Sequence, residues 1–222
     1  MIWILVLALQ DQEAIGKAAE KTGVVKSYAS KVSMTIEGGG EQAVDLVVDG
    51  GYSEEEGVYL KGEYLTVPLG IYRKGGKTAV IDTVDKTWKK AENVKAKGNR
   101  TPGKNFQIPH EEINGLERKL KNVKKVESEK GCDTYTAELT EEGAKSFLPA
   151  NARMLPGLKA SGDVKIWINS DGYIAEWMLI HVTEGSANGK DFRITNTRTT
   201  WFSQFDNYKP EVPPDAKKAL EE

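Results

Sequence analysis

Residues 28–37 alternate, with Val32, Met34 and Ile36 on one side and Lys31, Ser33 and Thr35 on the other. A period of two marks a strand with one face buried. Val44, Leu46 and Val48 repeat the pattern after the glycines at 38–40, and Asp49-Gly50-Gly51 signals a turn. A third strand over 57–66 carries Leu60 and Leu65. Segments 67–73, with Ile71, and 77–82 flank Lys74-Gly75-Gly76, a short glycine hairpin. Trp88 sits in a further short strand, and 95–104 reads as an exposed loop of Gly, Pro and Lys.

The helical period is scarcer. Ala14, Ile15, Ala18 and Ala19 predict an amphipathic helix over 12–25, and Ile113, Leu116 and Leu120 a second over 110–120. Between two more strands at 123–129 and 134–140, Lys130-Gly131 reads as a hairpin turn. Thr140 is a fitting N-cap for a short third helix, with Glu141 and Glu142 in its first turn.

The last third, 162–205, reads as strand, Asp-Gly turn, long strand, long strand. Val164, Ile166 and Ile168 face one way, Lys165 and Trp167 the other. On the next strand Ile174, Met178, Ile180 and Val182 share a face with Glu176, while Trp177, Leu179 and His181 lie opposite. A strand apolar on both sides is either core covered on both faces or has one side lining a cavity. Phe192 and Ile194 extend the apolar face on the neighbour; Thr195, Thr197 and Thr199 with Arg193 form the wet one. Short hairpin spacings leave no room for parallel crossovers. The pattern therefore predicts a mainly β (α+β) fold: about ten antiparallel strands and three helices, the sheet curved with helices on one face.

Composition narrows the function. The 222 residues carry 31 Lys+Arg against 33 Asp+Glu, a formal charge of -2 with no basic excess for nucleic acid. Gly98–Asn105 misses a phosphate-binding loop, because Asn105 stands where Ser or Thr is needed and no apolar strand precedes it. His110-Glu111-Glu112 lacks the second histidine of a zinc-protease helix, and two His with one Cys predict no metal site. Cys132 has no companion for a disulfide, and no Gly-x-Ser-x-Gly elbow exists. No catalytic residue or cofactor is predicted, and the chain reads as a non-enzyme. A hydrolase ranks behind every binding reading.

Residues 2–9 are apolar throughout, short of the roughly 20 a spanning helix needs, so no membrane span is predicted. Residues 1–10 read as an export signal or its remnant without the usual basic start, or else as a buried first strand. No Cys follows for lipid attachment. Residues 11–222 read as one domain.

Two stretches carry a family resemblance: 162–177, where Val-Lys-Ile-Trp-Ile-Asn meets an Asp-Gly turn, and 201–214, a closing strand with a proline-rich exit. With the order of elements, they resemble the periplasmic lipoprotein carriers (LolA-like) and the mycobacterial lipid-carrying lipoproteins. The resemblance implies an incomplete antiparallel half-barrel with helices packed on its concave face. It also implies a periplasmic or otherwise exported cell-envelope protein, and a ligand of lipid or lipoprotein acyl chains between sheet and helices. The predicted ligand-facing set is Val32, Met34, Ile36, Val44, Leu46, Leu60, Leu65, Ile71, Val164, Ile166, Ile168, Met178 and Ile180, with helices 12–25 and 110–120 as lid. The alternative is an envelope interaction or scaffold module with a filled core, docking a protein partner around Trp167, Trp177 and Trp201.

Overall fold

The computed structural model describes residues 2–38, 41–64, 67–94, 106–148, 150–153, 157–187 and 189–221. Among them, eleven strands form one antiparallel sheet in the order β6-β5-β4-β3-β2-β1-β11-β10-β9-β8-β7, and the two end strands leave it open. The strands are β1 (Ser27–Gly38), β2 (Glu41–Ser53), β3 (Gly57–Tyr64), β4 (Val67–Lys74), β5 (Lys77–Ile81), β6 (Trp88–Lys90), β7 (Leu120–Glu129), β8 (Cys132–Leu139), β9 (Lys159–Ile168), β10 (Ile174–Ala187) and β11 (Lys190–Ser203). The helices are α1 (Ile2–Gly23), α2 (Pro109–Ile113), α3 (Glu141–Ser146), α4 (Ala150–Arg153) and α5 (Pro214–Glu221). The mainly β, antiparallel prediction holds. The loop at 95–104 and Leu65 lie outside the described residues.

Turn chemistry sets the hairpins. Gly75 and Gly76 have φ of 57° and 77°, and Lys130-Gly131 has 55° and 73°. Positive φ at both central positions matches the twist of the flanking strands. After β9, Asn169 Oδ1 accepts from the amides of Asp171 and Tyr173 at 3.1 and 2.9 Å, fixing the polar turn.

Contacts divide the chain into two compact units, 1–24 with 34–44 and 110–201, and 25–33 with 45–109 and 202–222. In the first, α1 packs against β7 and β10 and buries Ile15, Ala18, Ala19 and Thr22. Thr22 Oγ1 donates to the Ala18 carbonyl at 2.7 Å and accepts from the Ile174 amide at 2.9 Å, tying the helix to the start of β10. Thr140 caps α3, its hydroxyl accepting from the Gly143 amide at 3.0 Å. The edge strand β7 is broken by two register shifts and carries Lys121, Lys124 and Lys125, features that discourage edge pairing. Asp11 of α1 accepts from the Lys125 amide at 2.9 Å.

Two predicted helices change. Residues 2–23 form one helix rather than starting at 12. The predicted helix over 110–120 is α2 followed by a separate 3-10 turn, Leu116–Lys119, because Gly115 adopts φ 63° and stops the first segment.

In the second unit, α5 lays Ala216, Ala219 and Leu220 on Tyr59, Tyr72 and Ala79, with Trp88 and Val212 at the border. The sequence predicts a proline-rich exit here, and the structure adds a helix to it. Pro214 at its first position fits, since the missing amide there is no loss. Tyr28 packs against Tyr52 at 5.8 Å and edge-on to Phe202 at 5.2 Å.

Candidate functional site

The strand register divides the predicted ligand-facing residues. In the first unit, Ile166 stands opposite Trp177 and Tyr135, and Val164 opposite Leu179 and Ala137. These side chains form the face under the helices. Met178 pairs with Lys165 and Thr199, and Ile180 with Asp163 and Thr197, on the other face. Met178 and Ile180 thus do not share a surface with Val164, Ile166 and Ile168. Both parities of β10 are apolar, so composition alone could not choose between them. Register did, setting Leu179 across from Val164. Met34, Ile36 and Val44 are half-buried. In the second unit Leu60 and Ile71 are cross-strand neighbours with no exposure, Leu46 shares their side of the sheet, and Val32 is likewise fully buried.

The helix-covered face of the first unit is the chemically richest surface described. Its floor is Val164, Ile166, Trp177 and Leu179, all buried. Phe147, following α3, lies 6.0 Å from the Trp177 ring and 6.4 Å from His181. His181 Nε2 donates to the Ala144 carbonyl at 2.9 Å, and burial pushes the imidazole below its usual range, against the pull of that hydrogen bond.

β11 brings a polar seam into this layer. Thr200 stands opposite Trp177, Arg198 opposite Leu179, and Asn196 opposite His181. Arg198 Nη1 meets Glu112 Oε1 of α2 at 2.6 Å, both side chains 5% exposed or less. Burial lifts the Glu112 carboxyl to about 8, against the opposing pull of Arg198 and Lys119. Lys119 donates to the Glu112 carbonyl at 3.1 Å and lies 5.2 Å from the Phe147 ring; burial lowers its ammonium from the usual range. Trp177 Nε1, Thr200 Oγ1, Asn196 Oδ1 and Glu112 Oε2 are buried without a hydrogen-bond partner in the protein. Sequence reasoning missed Glu112, Arg198 and Thr200. The available signal was parity: Arg198 and Thr200 share the side of β11 that carries Phe192 and Ile194. A guanidinium there demands a buried partner.

Open concavities among the described residues lie elsewhere in this unit. One, about 390 Å³, is lined by Met178 and Ile180 together with Lys124, Glu138 and Lys165. Another, about 590 Å³, runs between α1 and the 110–118 segment and is lined by charged groups such as Glu13, Lys17 and Arg118. The three tryptophans of the interaction-module reading do not share one face: Trp167 and Trp201 flank Glu176 on one side of the sheet, and Trp177 lies on the other. Trp177 is wholly buried under the helices, while Trp167 is 5% exposed on the opposite face, stacked by Lys130 and Lys165 at 4.9 and 5.0 Å. Among the described residues no cluster of His, Cys, Asp and Glu could hold a metal ion, and no helix is long and apolar enough to cross a membrane.

No family model and no curated protein matches the chain. Among solved structures it is similar to LprF from Mycobacterium bovis, at 9% identity and TM-score 0.44 over 93% of this chain and 97% of that one. It is similar also to a DUF1329 family protein from Desulfovibrio piger, at 10% identity and TM-score 0.33 over 96% and 97%. A LolA superfamily protein from Nitrosomonas europaea matches at 11% identity and TM-score 0.35 over 94% and 96%.

Proposed function

We propose that this chain is an exported, non-enzymatic carrier or sensor of a hydrophobic ligand, a lipid or lipoprotein acyl chain, held between the sheet and helices of its first unit. The observation that carries this reading is the layer under α1, α2 and α3: an apolar floor of Val164, Ile166, Trp177 and Leu179 interrupted by a few convergent buried polar groups. Binding pockets combine these two ingredients, and a perturbed carboxyl in such a place points the same way. Each methylene buried there gains about 0.8 kcal/mol, so an acyl chain needs no further polar motif for affinity. The cover is built from short pieces, α2 of five residues and α3 of six. Short elements with few hydrogen bonds open at low cost, and Val164, Ile166 and Ile168 become reachable when they do. Met34, Ile36 and Val44, already half-buried, offer further apolar surface in the same unit.

Solvent extraction of the protein purified from cells, followed by mass spectrometry, is expected to release a stoichiometric amphiphile. A fluorescent fatty acid is expected to bind the stripped protein, and Met178→Lys, on the uncovered face, is expected to leave that binding intact. A lipid-free preparation that also ignores the probe would overturn the reading.

A further inference from the structure

We infer that the seam formed by Trp177 Nε1, Thr200 Oγ1, Asn196 Oδ1 and the Glu112 carboxyl is a subsite for the polar head of the ligand, and that this head is uncharged and carries both hydroxyl and carbonyl groups. The inference rests on the carrier reading and specifies its ligand class. Trp177 and Thr200 are wholly buried, directly opposite each other on adjacent strands, and both present donors. Asn196 lies further along the same side of β11 and presents an acceptor, and Glu112 adds a carboxyl oxygen. None of these four atoms has a hydrogen-bond partner in the protein. Native interiors rarely leave such groups unmade, and a run of them in one layer calls for a guest.

Their chemistry selects the guest. Paired donors at Trp177 and Thr200 suit a carbonyl oxygen, and acceptors at Asn196 and Glu112 suit a hydroxyl. A carboxylate or phosphate is disfavoured. Arg198, the guanidinium on the same side of β11, is already engaged by Glu112 at 2.6 Å, and a charged head would have to give up its hydration in this buried layer. The match is a glyceride-like head, a hydroxyl next to an ester, with its chain over Val164, Ile166 and Leu179.

The test compares 1-monomyristoylglycerol, myristate and tetradecane as displacers of a fluorescent apolar probe from the full chain. For the unaltered protein the glyceride is expected to bind best. Thr200→Val, which keeps the shape and removes the hydroxyl, is expected to weaken the glyceride at least tenfold and leave tetradecane unchanged, while Thr200→Ser restores affinity. The unfolding midpoint of ligand-free Thr200→Val is expected to hold or rise, because an orphan hydroxyl is gone. A lowered midpoint with glyceride affinity unchanged would show that the hydroxyl serves the fold, and would overturn the subsite while leaving the carrier. Myristate binding above the glyceride would overturn the uncharged head alone. Failure of all three to displace the probe would overturn the subsite and the carrier together.

Discussion

The two helix-covered layers are built on different terms. Beneath α5 in the second unit the contacts are Tyr59, Tyr72 and Ala79 against Ala216, Ala219 and Leu220, and charge stays at the margin, where Lys217 meets Glu56 at 2.6 Å with Lys217 44% exposed. Beneath α1, α2 and α3 in the first unit, the Arg198–Glu112 contact and several unmatched polar atoms are enclosed with the apolar floor. An apolar layer with charge at its rim is the cheaper way to hold a helix on a sheet. The first unit forgoes it. The contrast separates a layer closed by apolar contacts alone from one that encloses polar groups at a cost in stability.

The contrast can be broken most sharply at Glu112. Glu112→Leu strands the Arg198 guanidinium, which cannot shed its proton, and is expected to cost about 3–5 kcal/mol of unfolding free energy in urea. The double variant Glu112→Leu/Arg198→Met is expected to recover wild-type stability or exceed it. A single variant as stable as the parent would remove the enclosed pair from the account.

A second measurement varies pH. The Glu112 carboxyl titrates from an ordinary 4.5 in the unfolded chain to about 8 in the native one. Between those values the folded state keeps a proton that the unfolded chain has released. Its contribution to stability is therefore complete below pH 4.5, declines as pH rises through the window by up to about 1.4 kcal/mol per unit, and is gone above 8. Glu112→Gln is expected to remove that component of the slope, and an unchanged profile would contradict it. The smallest effect belongs to the second unit: Lys217→Met is expected to change stability by less than about 1 kcal/mol, and a larger loss would erase the difference between the layers.

Much of the architecture was legible because hairpins are local. Alternation in β1 and β2, the Lys-Gly-Gly and Lys-Gly turns and the Thr140 cap each depend on neighbours in sequence. What was hidden depends on pairing across the chain. Whether Met178 or Leu179 faces the helices is decided by the register of β9 with β10. The partner of Arg198 arrives from α2, a segment read in the sequence as a plain amphipathic helix. α5 was missed because its start is rich in proline, and its apolar side is made of two alanines and a leucine.

The position of α5 in the chain has a consequence for biosynthesis. Lys77 on β5 reaches the Leu220 carbonyl across 143 residues. While those residues are being made, the tyrosine face of the nascent sheet stands bare, open to a chaperone or to a neighbouring chain. The helix that seals it is translated after all eleven strands, so the tyrosine face is covered only once every strand of the sheet has been made.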